Sequence, residues 1–119
     1  MLFGHLVGKG TALTLPPREM QRVRINLCQA LNRLGRHAEA LQHVTQLLSE
    51  LPDEEKRLRF LRRLEEARAY GGLGRHDEAE QALLEAEKLL PEKDSAFERS
   101  EFLQAVTELQ EVKLSLIHI

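Results

Sequence analysis

The sequence has 119 residues, 42% apolar, 30% charged and only 4% aromatic, with one cysteine and no tryptophan. One domain fits that length, a composition rich in Leu, Ala, Glu and Arg predicts helices rather than a sandwich or barrel, and the normal apolar content argues against disorder. A single cysteine excludes a disulfide framework and a zinc ribbon, no apolar run approaches the ~18 residues of a membrane span, and a net charge of −2 shows no bias toward polyanions.

Residues 1–15 fit no strong pattern. They lack the basic region and cleavage site of a secretion signal, and Leu2 excludes myristoylation, so a cytoplasmic location is the default expectation. The run from Gly4 to Thr11 brushes against a phosphate-binding loop. It has three residues rather than four between Gly4 and Gly8, Gly10 separates Lys9 from Thr11, and no strand pattern precedes it. A weak helix or a loose arm, the remnant of a preceding repeat, is expected here.

From residue 16 the chain repeats itself. Leu34-Gly35-Arg36-His37-Ala38-Glu39-Ala40 recurs as Leu73-Gly74-Arg75-His76-Asp77-Glu78-Ala79, and Leu51-Pro52 recurs as Leu90-Pro91, both at an offset of 39. Pro16 and Pro17 open the first helix, where proline is tolerated. Val23, Leu27, Ala30, Leu31 and Leu34 follow at helical spacing and predict its apolar face. Gly35 and Gly74 stand where a helix must stop in a left-handed cap. A second helix follows each cap, with Ala40, Leu41, Val44, Leu47 and Leu48 in one unit and Ala79, Ala82, Leu83, Ala86 and Leu90 in the other. Pro52 and Pro91 end these helices, and the short link forces each pair antiparallel. Asp53, Glu54 and Glu55 open the third helix, whose apolar face is Leu58, Leu61, Leu64, Ala67, Tyr70 and Leu73. Asp94 or Ser95 caps a fifth helix with Phe97, Phe102, Ala105, Val106, Leu109 and Val112.

Those residues resemble the tetratricopeptide repeat. Its unit is an antiparallel helix pair, A then B, with a small residue in helix A, a large apolar residue three positions on, glycine at the turn, alanine early in helix B and proline at its end. Cys28, Leu31, Gly35, Ala40, Val44 and Pro52 supply the first unit; Ala67, Tyr70, Gly74, Ala79, Leu83, Ala86 and Pro91 supply the second. The period of 39 exceeds the family's usual length of about 34, most simply by lengthening helix A. The resemblance implies an all-α, right-handed solenoid: residues 16–52 and 53–91 as two repeats and 92–113 as helix A of a third. Leu114 to Ile119 resembles a translated sequencing-library adapter, so residues 114–119 are expected to be non-native, with the natural gene continuing past Lys113.

No residue constellation predicts an enzyme, cofactor or metal. His37 and His43 are six apart, neither i,i+3 nor i,i+4 on a helix, and Cys28 occupies the small buried position of helix A. The carboxylates alternate with Arg and Lys along helix faces. Few aromatics and no basic stripe argue against nucleic acid. The expected function is protein–protein interaction, as part of a larger bacterial signalling or regulatory protein; the alternative is a structural or oligomerising segment without a peptide ligand. In this family partners lie against helix A. That face is expected to carry Arg22, Ile25, Asn26, Gln29, Asn32 and Arg33 from the first unit and Leu61, Leu64, Glu65, Arg68, Gly71 and Gly72 from the second. Its donors outnumber its carboxylates, which suits an extended or acidic peptide. The family's carboxylate clamp needs a Lys and Asn pair where this chain has Ile25 and Gln29, so that activity is not expected.

The solenoid ends are a further site of expected contact. Val23, Ile25 and Leu27 cannot all face the second helix, so the first helix should expose apolar surface, as should the last. Residues 1–75 carry 13 basic and 8 acidic side chains, whereas residues 76–119 carry 4 and 11, so self-association through the ends is favoured electrostatically as well.

Overall fold

A computed structural model describes residues 17–48, 56–90 and 96–117. These residues form five helices: α1 (Pro17–Arg33), α2 (His37–Leu48), α3 (Lys56–Gly72), α4 (His76–Lys88) and α5 (Ala96–Ile117). The expected arm (residues 1–15), Pro16, Pro52, Pro91 and the expected acidic and N-cap residues Asp53, Glu54, Glu55, Asp94 and Ser95 lie outside the described residues. So do the landmark's Leu51 and the end of the tail, while α5 runs on through Lys113 to Ile117.

The two turns are built alike. Gly35 and Gly74 both have φ near +80°, the left-handed region that glycine enters without a Cβ clash. Gly35 N donates to Asn32 O at 3.0 Å and Arg36 N to Leu31 O at 2.8 Å; Gly74 N donates to Gly71 O at 3.1 Å and Arg75 N to Tyr70 O at 2.9 Å. This paired pattern is the Schellman motif, and it satisfies carbonyls that the helix end leaves open. The arginine after each glycine then caps the next helix with its own carbonyl, which accepts from Ala40 N at 3.1 Å and from Ala79 N at 3.0 Å. Each arginine also forks onto the glutamate three residues on. Arg36 Nε and Nη2 donate to Glu39 at 2.7 and 2.6 Å, and Arg75 pairs with Glu78 in the same way. Arg75 further lies 4.8 Å from the centroid of the Tyr70 ring. The Leu-Gly-Arg-His-x-Glu-Ala landmark is therefore a turn device, with its final alanine fully buried in both copies.

Each helix packs on its sequence neighbours, and α3 sits at the centre, touching α1, α2, α4 and α5. Ile25, Cys28, Val44 and Leu58 form one core cluster, and Leu31, Ala40 and Ala69 another. Phe60, Leu64, Ala67, Ala79, Ala82, Leu83, Ala86, Ala105 and Leu109 form the largest, between α3, α4 and α5. Leu61 packs against both the first and the largest cluster.

The apolar face expected for α1 is corrected here. Val23, Leu27, Ala30 and Leu34 are exposed, and of that set only Leu31 is buried. The buried face is Gln21, Ile25, Cys28, Leu31 and Asn32, so α1 has two apolar sides and its packing uses the one bearing the small Cys28. Leu73, Phe97 and Val112 are likewise exposed. Arg62 is the main polar intruder in the interior: it is 2% exposed on the buried face of α3, and its Nε and Nη1 have no hydrogen-bond partner among the described residues. Burial, reinforced by neighbouring Arg63, lowers its pKa to about 10, with Glu66 opposing and Arg59 adding to the effect.

Candidate functional site

Helices α1, α3 and α5 line a groove of about 350 Å³. Its walls are Gln29, Asn32 and Arg33 from α1 and Gln104, Glu108 and Val112 from α5. Ala67, Leu83, Ala105 and Leu109 make an apolar floor; Glu65, Arg68, Gly71 and Gly72 come from α3 and His37 from the start of α2. The groove exists because small residues meet there. Gly71 and Gly72 add no side chain, and a Cβ on Gly72 would lie 2.2 Å from His37 Cδ2.

A polar network crosses the groove from one repeat to the next. Asn32 Nδ2 donates to both the carbonyl and Oε1 of Glu65, each at 3.0 Å. Because both partners there are acceptors, the amide is fixed in this orientation, and Asn32 Oδ1 accepts from His37 Nδ1 at 2.9 Å. Arg68 then gathers three carboxylates: Glu65 at 2.6 Å, Glu101 at 3.1 Å and Glu108 at 3.3 Å. Burial alone would lower the Arg68 pKa, but the three carboxylates together hold it above its ordinary value. Cys28 is fully buried behind this network; its thiol is pushed up to about 11, mainly by burial and secondarily by the Glu65 charge.

Of the residues expected on the binding face, the groove brings together Gln29, Asn32, Arg33, Glu65, Arg68, Gly71 and Gly72. Arg22 and Asn26 are exposed on α1 but do not line it, Leu61 is half-buried between two core clusters, and Ile25 and Leu64 are core residues. The expected surplus of donors is reduced, because Asn32 and Arg68 are engaged within the protein. The α5 wall and His37 are not among the expected residues. The 39-residue register pointed to the former, since it carries Glu65 onto Gln104.

Among the described residues no group of three or more His, Cys, Asp or Glu could hold a metal ion, and no helix is long and apolar enough to cross a membrane. The sequence profile of the tetratricopeptide repeat matches residues 21–45 and 61–85, each running from helix A across the Schellman turn into helix B. The chain carries two tetratricopeptide repeats. No curated protein and no solved structure matches it significantly. The tetratricopeptide repeat is a non-catalytic scaffold that in general serves protein–protein interaction, and α5 follows the second repeat in the place where helix A of a third would stand.

Proposed function

We propose that the groove between α1, α3 and α5 is the binding site of this interaction module, and that it takes an extended segment of a partner protein. The observation that carries this reading is the groove itself: an apolar floor of Ala67, Leu83, Ala105 and Leu109 between polar rims that include Gln29, Arg33 and Gln104. Apolar floors supply affinity and a few placed polar groups supply orientation. Acidic side chains on the partner would meet Arg33, which is exposed on the α1 rim, rather than Arg68, whose charge Glu65, Glu101 and Glu108 already compensate. We further read the module as part of a larger bacterial signalling or regulatory protein, because its 39-residue period resembles that of long-helix variants of the repeat, which occur in such proteins.

Selection from a random peptide library displayed against the protein tests the site. Gln104→Trp fills the groove from an exposed position, Arg33→Glu reverses its rim, and Gln42→Trp alters the exposed face of α2. Selected peptides should lose binding to the first two variants and keep it to the third. Binding that survives both groove variants places the site elsewhere.

A further inference from the structure

We infer that the chain assembles head to tail with a second copy of itself, the outer row of α1 in one copy seating on the outer face of α5 in the next. The inference does not rest on the groove. It rests on the 39-residue register, which supplies an internal template for the contact.

Val23, Leu27, Ala30 and Leu34 follow one another at spacings of four, three and four, so they form one row along α1. Val23 is 49%, Leu27 41% and Leu34 71% exposed, an apolar row on the side of the helix away from its buried face. Shifted by 39, the first three positions become Arg62, Glu66 and Ala69, and all three are buried. Ala69 belongs to the cluster that joins α3 to Leu31 and Ala40 of the first repeat. The row that α3 uses to receive the preceding helix pair is thus the row that α1 leaves open, and in α1 it is more apolar.

The opposite end repeats the logic. Leu64 belongs to the cluster joining α3 to α5, and a Cβ on Gly71 would touch Leu109 Cδ1 at 3.4 Å. Shifted by 39, Leu64, Arg68 and Gly71 become Leu103, Thr107 and Gln110, which lie exposed along the outer face of α5, with Leu103 at 63%. That face carries no charge at these positions. An incoming face and an outgoing face on one chain make a heterologous contact, which one copy cannot satisfy and a line of copies can.

Charge favours the same occupant. On α1, Arg18, Arg22, Arg24 and Arg33 outnumber Glu19; on α5, Glu98, Glu101 and Glu108 are turned to Arg57 and Arg68 of α3, so the favourable charge is that of the two halves of the chain rather than of the α5 face itself. Across the chain, residues 1–75 are net +5 and residues 76–119 net −7. Two heads or two tails would repel; head and tail attract, less so as salt rises.

Sedimentation velocity on the full chain, with Leu27→Glu as a blocked head and Leu103→Glu as a blocked tail, tests this. The unmodified chain should form species that grow with concentration and shrink with salt. Each variant alone should stay monomeric, with unchanged helical circular dichroism, because both positions are exposed. Mixed one to one, the pair should give a dimer that grows no further, since each variant retains the end that the other lacks. Leu27→Gln and Leu103→Gln, which keep helix propensity, should show the same complementation if either glutamate disturbs folding. A monomer at every concentration overturns the inference, and so does association that one variant leaves intact or that mixing fails to restore, since both describe a symmetric contact.

Discussion

The His37 imidazole lies so close over Gly72 that a Cβ there would stand 2.2 Å from its Cδ2 and 2.4 Å from its Cγ. The histidine of one repeat's turn landmark therefore dictates a glycine in helix A of the next. Gly72→Ala in an ordinary helix would gain about 1 kcal/mol of propensity. Here overlap with a half-buried ring reverses the sign, and urea unfolding should show a loss of about 1–3 kcal/mol. Adding His37→Ala to that variant should recover part of the loss, and a double-mutant cycle with no coupling would contradict the contact.

Asn32 joins three helices through one amide, with both donors on Glu65 and its oxygen on His37. Asn32→Ala leaves buried groups unsatisfied and should cost about 1–3 kcal/mol. Asn32→Asp preserves the shape but sets a second carboxylate against Glu65. At neutral pH it should lower the melting temperature more than Asn32→Ala, because it sets two like charges side by side in a buried site.

Arg62 is a buried charge with two unpartnered donors, so its removal should help. Arg62→Met keeps an unbranched stem, and chemical denaturation should show a gain of about 1–3 kcal/mol, because it removes a desolvation cost that the guanidinium's weak pairing does not offset. A loss of that size would mean that the charge is compensated in the folded protein.

Cys28 gives a pH dependence. Its folded pKa, about 11, is raised above the ordinary value of 9.0, so the folded state holds the proton longer than the unfolded chain. That contribution is complete below pH 9 and is lost as pH rises toward 11. Arg62, lowered to about 10, opposes it only at the upper end, because the unfolded chain gives up that proton later. Stability should therefore fall between pH 9 and 10 in the parent and fall less in Cys28→Ala. At pH 8 the native thiol should resist thiol reagents until the protein unfolds.

Much of this architecture was legible in the sequence because the turn device is local. Gly35, Arg36, Glu39 and Ala40 act within a few residues of one another, so the landmark and its copy announced both turns. Which side of α1 is buried was not legible. Val23, Leu27, Ala30 and Leu34 form the cleaner apolar row, yet packing against α2 and α3 selects the row through Gln21, Ile25, Cys28 and Asn32, two of them polar. Periodicity reports that a face is apolar; it does not report whether the neighbour that would cover it is present. The same limit explains Arg68. Its place in the groove followed from the helix register, but its three carboxylates come partly from α5, 33 and 40 residues away.

The groove is tested most directly by amide chemical-shift mapping with a library-selected peptide. Binding in the groove predicts the largest shifts at Gln29, Arg33, Gly72, Gln104 and Glu108, residues that meet only in the fold and line one cavity. Shifts centred instead on exposed residues of α2 and α4 such as Gln42 and Leu84, with the groove amides unmoved, would contradict it.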